Sequence, residues 1–355
     1  MTDSLLRRLK RLIATEGPMD VATYMRHCLT DPADGYYVKK PPFGRDGDFI
    51  TAPEISQLFG EMIGIWALDI WRKLGAPAAF SLVEAGPGRG TLAADCLRTI
   101  TKLAPDMMNA MTLRLVEISP ALRERQKAAL APFETPLFFQ ETLDDLGRLP
   151  IILIANEFLD ALPIRQYQFD GARWGERVVG CSRADELHWG LRSAIPEHLP
   201  GMQPYEGAVF EENATARHVV ERIAEHISKI GGAALLIDYG HLESGFGDTF
   251  QAVRQHRFVD PLARPGEADL TAHVDFAALC GIAEKAQLAV RMTNQGAFLV
   301  SMGMLERAGK LGAGLSAAEQ EKIQIDVERL AAPEKMGNLF KVMAITRRGT
   351  VPHGF

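Results

Sequence analysis

Apolar residues along the chain occur in two patterns, short uninterrupted runs and helically spaced stripes. The runs lie near residues 82–83, 112–116, 137–140, 151–155, 233–237, 288–293 and 340–346. Short apolar runs without polar alternation are typical of strands that are buried on both faces of a parallel sheet. Helically spaced stripes separate most of these runs. The pattern therefore predicts an α/β fold with a doubly wound, mostly parallel, seven-stranded sheet.

Two helices are predicted before the first strand. Residues 4–16 show a basic amphipathic pattern with their leucines and isoleucine on one side. A mitochondrial transit peptide has a similar pattern, but Asp3 and Glu16 favour a helix that packs on the domain. The second helix is predicted to begin at Pro53, with Glu54 in its first turn, and to form part of the core through residue 71.

The segment between these helices is dense in Gly, Pro and Asp over residues 29–48. This composition predicts a loop, with a short hairpin around residues 36–38. A long loop that leads into a buried helix is uncommon unless it has a function. We therefore expect residues 29–61 to form a lid over a bound ligand.

Residues 164–212 alternate in short strand-like pieces and then contain several prolines, which predicts an antiparallel insertion rather than another βαβ unit. Helices are predicted at about 215–229 and 274–285, and a mostly helical stretch at about 298–330. The glycine-rich segment that follows His241, to about residue 269, is predicted as a mobile connection. The predicted domains are an N-terminal helical and lid segment at 1–75, a ligand-binding core at 76–163 and 213–355, and a substrate-side insertion at 164–212.

The stretch SLVEAGPGRGT at 81–91 places three glycines between a predicted strand and a predicted helix. Glycine is needed where the backbone turns sharply and a ligand approaches main-chain N–H groups. The spacing E-x-G-x-G-x-G differs from the G-x-G-x-x-G of dinucleotide folds, and Glu84 would repel a pyrophosphate. It suits a ligand with an ammonium and a sulfonium group. The stretch resembles the glycine loop of class I S-adenosylmethionine-dependent methyltransferases.

Polar residues also follow the next predicted strands. Glu117, with Ile118 after it, ends the second strand, where a carboxylate can accept both hydroxyls of a ribose. The alternative is an ordinary surface carboxylate. Thr142 and Leu143 follow the third strand, and their position suggests that they flank an adenine ring.

Asn156 and Glu157 directly follow the apolar run at 151–155. Ligands of open α/β sheets bind beyond the carboxyl ends of the strands, so these two residues are candidates to face the substrate. The alternative is that Asn156 caps a following helix while Glu157 interacts with its dipole.

Composition excludes several classes of protein. The net charge of -6 over 355 residues argues against a general nucleic-acid binder, and the length allows one large or two modest domains. The four scattered cysteines show no metal or disulfide pattern, and His241 and His273 have no second ligand at metal spacing. The sequence predicts no transmembrane span, no signal peptide, no metal site and no serine-hydrolase motif.

Six motifs extend the resemblance over residues 35–344. They are GDFITAPEISQLFGE, LVEAGPGRGTLAAD, ANEFLDALPIRQY, LLIDYGH, DLTAHVDF and EKMGNLFKVMA. In this order they resemble the MidA-like methyltransferases. That family includes a mitochondrial complex I assembly factor that methylates an arginine of a core complex I subunit.

The resemblance implies a class I, Rossmann-like methyltransferase with S-adenosylmethionine as cofactor and a protein substrate, a complex I core subunit. It also implies a bacterial cytoplasmic protein, with the mitochondrial matrix as the alternative. The residues expected to bind the cofactor are Thr51, Pro53, Glu84, Gly86, Pro87, Gly88, Gly90, Thr91, Glu117, Ile118, Thr142, Leu143 and Asn156.

The chemistry of the group that receives the methyl, an arginine guanidinium, suggests the catalytic residues. A guanidinium is charged and is not simply deprotonated, so a carboxylate must hold it and offset its charge, and bidentate pairing fits this geometry. Glu157 is the first candidate for this role and Glu54 the second. A small hydroxyl or carboxylate acceptor would instead require a base, for which His241 is the candidate.

Three functions remain open from the sequence: an arginine methyltransferase, a non-catalytic assembly chaperone that retains the ligand site, and a nicotinamide-dependent oxidoreductase. The glycine spacing disfavours the third.

Overall fold

The computed structural model describes residues 4–39 and 51–355. Part of the predicted lid, residues 40–50, therefore lies outside the described residues. Within them the α-helices are α1 (Leu5–Glu16), α2 (Val21–Thr30), α3 (Tyr36–Lys39), α4 (Ala52–Ile55), α5 (Gln57–Lys73), α6 (Thr91–Leu103), α7 (Pro105–Ala110), α8 (Pro120–Leu130), α9 (Ala214–Lys229), α10 (Phe276–Lys285), α11 (Gln295–Ser301), α12 (Met304–Gly312) and α13 (Ala317–Ala331). A π-helix spans Pro333–Gly337.

The strands form three sheets. In chain order they are β1 (Met19–Asp20), β2 (Phe80–Ala85), β3 (Met111–Val116), β4 (Leu137–Gln140), β5 (Ile151–Asn156), β6 (Arg165–Phe169), β7 (Trp174–Cys181), β8 (Leu187–Ser193), β9 (Val209–Glu212), β10 (Gly232–His241), β11 (Gln251–Arg254), β12 (Arg257–Val259), β13 (Asp269–Thr271), β14 (Val274–Asp275), β15 (Ala289–Asn294) and β16 (Phe340–Thr346).

The largest sheet has the strand order β15-β16-β10-β5-β2-β3-β4, and short β14 also pairs with β10. Strands β10, β5, β2, β3 and β4 are parallel, whereas β16 is antiparallel to both of its neighbours. Every residue of β2 and β5 is buried, as expected for strands covered on both faces. The predicted doubly wound, mostly parallel, seven-stranded sheet is confirmed.

The core beside this sheet is built from helically spaced apolar residues. Helix α5 contributes Leu58, Phe59, Met62, Ile63 and Trp66, none of which is exposed to solvent. Because these residues recur every three or four positions, they form one face of the helix. The sheet and its helices therefore hold the carboxyl ends of β2, β3 and β5 in fixed positions.

The chain divides into two compact units. One contains residues 50–159, 219–242 and 274–355, with the large sheet. The other contains residues 1–49, 160–218 and 243–273. This division differs from the predicted domains because the first three helices share an apolar core with the inserted strands, around Leu9, Met25 and Val179.

The second unit contains two antiparallel sheets. In the first, the order is β1-β7-β6-β9, with β8 paired to β7, and β6, β7 and β8 match the predicted pieces of the insertion. In the second, β11 lies between β12 and β13. The glycine-rich segment to residue 269 was predicted as a mobile connection, whereas it contributes β11, β12 and the first residue of β13 to that sheet.

Two further local predictions are wrong. Residues 36–38 belong to helix α3 rather than to a hairpin. The helix predicted from Pro53 to residue 71 is two helices, because Ser56 is extended and its side chain caps α5 by accepting the Leu58 N–H group at 3.4 Å. The mostly helical stretch predicted at about 298–330 is confirmed, since it contains most of α11 and the whole of α12, which begins after Gly303 in the left-handed conformation, and nearly all of α13.

Candidate functional site

The glycine loop follows β2 as predicted. Gly86, Gly88 and Gly90 have φ angles of 67°, 53° and 83°, a region that residues with a side chain rarely adopt. The Gly86 N–H group donates to the Val116 carbonyl at 3.1 Å, and the Gly90 N–H group to the Pro87 carbonyl at 2.8 Å. The loop is therefore a defined turn that requires glycine at all three positions.

Glu84 lies beneath this loop, at the end of β2. It is 4% exposed, and burial raises the pKa of its carboxyl to about 8, although a hydrogen bond from the Ala93 backbone N–H group acts in the opposite direction. Such a carboxyl is poised to ionise when a cation binds nearby.

Glu117 ends β3 and is buried, 7% exposed. Its Oε1 accepts the Ser119 backbone N–H group at 2.7 Å, and its Oε2 accepts the side-chain amide of Gln126 at 3.0 Å. Burial raises its pKa, and these hydrogen bonds act in the opposite direction. The Ile118 backbone N–H group also donates to this carboxylate, and because a carboxylate has about four acceptor sites, capacity for a hydroxyl donor remains. The structure therefore does not support the alternative of an ordinary surface carboxylate.

Glu157 follows β5 in a left-handed conformation, with a φ of 50°, which is strained for a residue other than glycine. Its N–H group donates to the Ile237 carbonyl at 2.9 Å. Its Oε1 accepts the Ala52 backbone N–H group at 2.9 Å and the side-chain amide of Asn156 at 3.1 Å. The expected helix after Asn156 does not form, so the alternative of a cap for that helix is wrong.

The fully buried carboxylate of Asp238, on β10, organises the turn after Glu157. Its Oδ2 accepts the N–H groups of Phe158 and Leu159 at 3.1 and 2.9 Å, and its Oδ1 accepts the Tyr239 N–H group at 2.9 Å. The bonds from Phe158 and Leu159 satisfy backbone donors that lie outside the helices and strands. They stabilise the turn that places Glu157 at the carboxyl edge of the sheet.

Helix α4 is joined to both the loop and β5. The Thr91 hydroxyl donates to Oε1 of Glu54 at 2.6 Å, and Arg89 lies 3.3 Å from Oε2. Glu54 therefore binds the glycine loop. The same short helix provides the Ala52 N–H group that Glu157 accepts.

The remaining predicted residues lie in less connected positions. Thr51 is the residue before α4, and Pro53 is buried in its first turn. Ile118 is 41% exposed beside Glu117. Leu143 is buried, whereas Thr142 is exposed and donates from its hydroxyl to Asp144 at 2.9 Å.

The arrangement fits a ligand of the predicted chemistry. The three left-handed glycines leave three positions of the loop without a side chain, and a Cβ on Gly86 would lie 3.0 Å from the Phe158 ring. The carboxylates of Glu84, Glu117 and Glu157 suit a ligand with ammonium and hydroxyl donors rather than a phosphate. Among the described residues, no group of three or more His, Cys, Asp or Glu side chains could hold a metal ion.

Sequence reasoning missed two residues, Gln126 and Asp238. Gln126 carried a signal, since it stands four residues from both Leu122 and Leu130 in an apolar stripe where a glutamine is unexpected. Asp238 follows an apolar strand, as Glu84 and Glu117 do, but its partners lie about 80 residues away in the sequence.

Comparisons with known proteins identify relatives over most of the chain. The family model described as "Putative S-adenosyl-L-methionine-dependent methyltransferase" matches residues 62–293. A Drosophila melanogaster relative, "Protein arginine methyltransferase NDUFAF7 homolog, mitochondrial", is 38% identical over 96% of this chain and 84% of its own. The Homo sapiens relative, "Protein arginine methyltransferase NDUFAF7, mitochondrial", is 36% identical over 96% of this chain and 83% of its own.

A solved structure shares the fold. A crystal structure of a Burkholderia thailandensis protein bound to S-adenosyl-homocysteine superimposes with a TM-score of 0.84 and is 26% identical, covering 99% of this chain and 93% of that one. The family match, the glycine loop and the sheet order agree with one another and disfavour a nicotinamide-dependent oxidoreductase. The chain belongs to the S-adenosyl-L-methionine-dependent methyltransferase family.

Proposed function

We propose that this methyltransferase methylates an arginine side chain of a protein substrate. The observation that carries the proposal is the similarity, over nearly the whole chain, to relatives named protein arginine methyltransferase. The site geometry is compatible with it, because the carboxyl edge of the large sheet presents a carboxylate suited to a guanidinium.

The glycine loop and the acidic residues around it would hold the cofactor, S-adenosylmethionine. Gly86, Gly88 and Gly90 give its amino-acid portion access to the backbone, and Glu84 lies near enough to the loop to offset an ammonium charge. Glu117 is the proposed acceptor for the ribose hydroxyls. When bound, the cofactor supplies an electrophilic methyl group on a sulfonium.

For six further residues that are predicted to bind the cofactor, the proposed roles rest on position alone. The partly exposed side chain of Ile118, with Thr142 and Leu143, would border the adenine. Thr51 and Pro53 would cover the cofactor from the side of α4. Asn156 would contact it from the end of β5.

Glu157 is the proposed anchor for the substrate guanidinium. A carboxylate can pair with two guanidinium nitrogens at once, which orients one of them for an in-line displacement. The methylated nitrogen must then lose one proton, which the same carboxylate or solvent can accept. The strained backbone of Glu157 supports this proposal, since residues held in sparsely populated conformations cluster at functional sites.

Glu54 was the second catalytic candidate, and its contacts suggest a structural role. Both of its oxygens are engaged by Thr91 and Arg89 of the glycine loop. We therefore propose that Glu54 fixes α4 to the loop, and we retain it as the alternative carboxylate only if Glu157 proves dispensable.

We propose a core subunit of respiratory complex I as the substrate, with methylation assisting its assembly. This follows from the resemblance to the MidA-like family. The proposed location is the bacterial cytoplasm, with the mitochondrial matrix as the alternative, since the named relatives are mitochondrial. No helix in the described part of the chain is long and apolar enough to cross a membrane.

The test is methyl transfer to a recombinant complex I core subunit from S-adenosylmethionine labelled in its methyl group. We expect label in methylarginine after acid hydrolysis, and none with the Gly88→Val variant. Label in another amino acid would refute arginine as the acceptor. Binding of S-adenosylhomocysteine without methyl transfer to any protein of a cell lysate would instead indicate a non-catalytic assembly chaperone.

A further inference from the structure

Gln126 occupies an apolar position of helix α8. It lies one turn from Leu122 on one side and one turn from Leu130 on the other, and these three are the buried residues of the helix. Gln126 itself is 0% exposed. Burying a side-chain amide costs free energy unless its groups are hydrogen-bonded, so its presence in this stripe requires a reason.

The amide nitrogen of Gln126 joins two parts of the cofactor site. Nε2 donates to the backbone carbonyl of Gly88 at 2.7 Å and to Oε2 of Glu117 at 3.0 Å. A side-chain amide has two N–H groups, so one residue can satisfy both acceptors. One acceptor belongs to the glycine loop and the other to the end of β3.

Packing alone does not explain why a glutamine occupies this position. Oε1 is buried and has no hydrogen-bond partner among residues 4–39 and 51–355. Rotating the amide group would turn Oε1 toward the Gly88 carbonyl and the Glu117 carboxylate, which are themselves acceptors. The two bonds donated by Nε2 therefore fix the orientation of the amide group. A leucine or methionine would fill the same stripe without burying an unsatisfied oxygen.

The glycine loop also packs against the Gln126 side chain at a second point. A Cβ added to Gly90 would lie 3.4 Å from Cα of Gln126 and 3.5 Å from its Cγ. The loop therefore meets α8 through a hydrogen bond at Gly88, and at Gly90 it passes α8 closely enough to leave little room for a side chain. Both contacts fix the loop relative to β3.

We propose that Gln126 is a positioning residue for cofactor binding. It holds the glycine loop and the Glu117 carboxylate in fixed relative positions, so that one ligand can engage both. This inference rests on the proposed role of Glu117 at the ribose. Gln126 acts through its two acceptors and need not touch the ligand itself.

The test is the substitution Gln126→Met, which keeps the length of the side chain and removes both donors. Calorimetric titration with S-adenosylhomocysteine should show an affinity about tenfold lower, the size expected when a hydrogen bond to a charged group is lost. The melting temperature without ligand should stay within a few degrees of the wild type, because removal of the unsatisfied oxygen offsets part of the cost of leaving the Gly88 carbonyl and the Glu117 carboxylate each without one donor.

Leu130→Met is the matched control. It introduces the same side chain one turn further along the same buried stripe, where no polar contact is lost. The affinity for S-adenosylhomocysteine should stay within about twofold of the wild type.

A double-mutant cycle with Glu117→Gln tests the coupling itself. If Gln126 acts largely through Glu117, Gln126→Met should cause a clearly smaller loss of affinity in the Glu117→Gln background than in the wild type. Equal losses in both backgrounds would refute the coupling. Wild-type affinity in folded Gln126→Met, or a loss of affinity together with a melting temperature lowered by more than about 10 °C, would refute the positioning role.

If Gln126→Met does not fold, Gln126→Asn carries the test. It keeps an amide in the stripe, but one methylene shorter, so that it cannot reach both acceptors and should show a similar loss of affinity. Because these experiments measure ligand binding, their outcome does not depend on the substrate. A chain that binds S-adenosylhomocysteine and methylates no arginine would refute the proposed function and leave this inference intact.

Discussion

The substitution Glu157→Gln separates a catalytic role from a structural one. In the structure, Oε1 of Glu157 accepts the Ala52 N–H group at 2.9 Å and the Asn156 amide at 3.1 Å. A glutamine of the same shape can still accept both bonds through its carbonyl oxygen. The substitution therefore removes the negative charge while leaving the local contacts in place.

The expected magnitudes differ for stability and rate. Replacing bonds to a charged acceptor by bonds to a neutral one should cost about 1 kcal/mol of unfolding free energy. If Glu157 holds the guanidinium, loss of one preorganised electrostatic partner should lower the rate of methyl transfer by about a hundredfold to a thousandfold. Affinity for S-adenosylhomocysteine should stay within about threefold, because the carboxylate faces the acceptor rather than the donor.

The assay is single-turnover methylation of the protein substrate, alongside S-adenosylhomocysteine titration and thermal melting of the same variant. Single-turnover conditions exclude product release from the measured rate. Transfer at the wild-type rate would refute the role of Glu157 and make Glu54 the carboxylate to test. A fall in cofactor affinity as large as the fall in rate would refute the assignment of Glu157 to the acceptor.

Four further substitutions test the cofactor site. Glu54→Gln removes the ion pair with Arg89. We expect calorimetry to show about two- to fivefold weaker binding of S-adenosylhomocysteine. Unchanged affinity would contradict a link between α4 and the glycine loop. Gly88→Val forces a β-branched residue to a φ of 53°, so binding should be undetectable in a chain that circular dichroism shows to be folded. Glu117→Ala should weaken binding about tenfold to a hundredfold, and affinity within twofold of the wild type would exclude contact with the ribose. Because the pKa of Glu84 rises from 4.5 to about 8, its burial costs nothing below pH 4.5 and destabilises the ligand-free fold progressively up to about pH 8, by at most about 5 kcal/mol. Urea unfolding of Glu84→Gln should therefore show a smaller loss of stability between pH 5 and 8 than the wild type, and parallel curves would contradict the raised pKa.

Sequence patterns predicted the large sheet well because its central strands, β2 and β5, contain apolar runs and are buried at every residue. The predicted strand at 340–346 coincides with β16, and that at 151–155 differs from β5 by one residue. Burial on both faces makes such runs unambiguous, since a polar residue inside them would lack a partner.

The second unit was harder to predict because its strands are short and partly exposed. In β11–β13, charged and polar residues interrupt the apolar positions, for example in the sequence QAVR of β11. Glycines around these strands resemble those of a mobile loop in composition alone. Helix α3 was similarly missed, since four residues are too few to show a helical period.

Within the site, the elements were predictable and their hydrogen bonds were not. The glycine loop, Glu117 and Glu157 all follow apolar strands, and the topology of an open α/β sheet brings such positions to one edge. The bond from Gln126 to Gly88 joins residues 38 positions apart, and that from Ala52 to Glu157 joins residues 105 apart. A local sequence pattern cannot predict hydrogen bonds between residues that are so far apart in the chain.

These hydrogen bonds also indicate how substitutions in the site should combine. In helix α4, Glu54 accepts the Thr91 hydroxyl and the Ala52 N–H group donates to Glu157. One short helix is therefore joined both to the glycine loop and to the carboxylate that is proposed to hold the guanidinium. Residues that share such a network show interaction energies of about 0.5–3 kcal/mol in double-mutant cycles. The combined effect of Glu54→Gln and Glu157→Gln on the transfer rate should therefore depart from the product of the two single effects. If the two effects multiply independently, α4 does not connect the two parts of the site, and the carboxylates act separately.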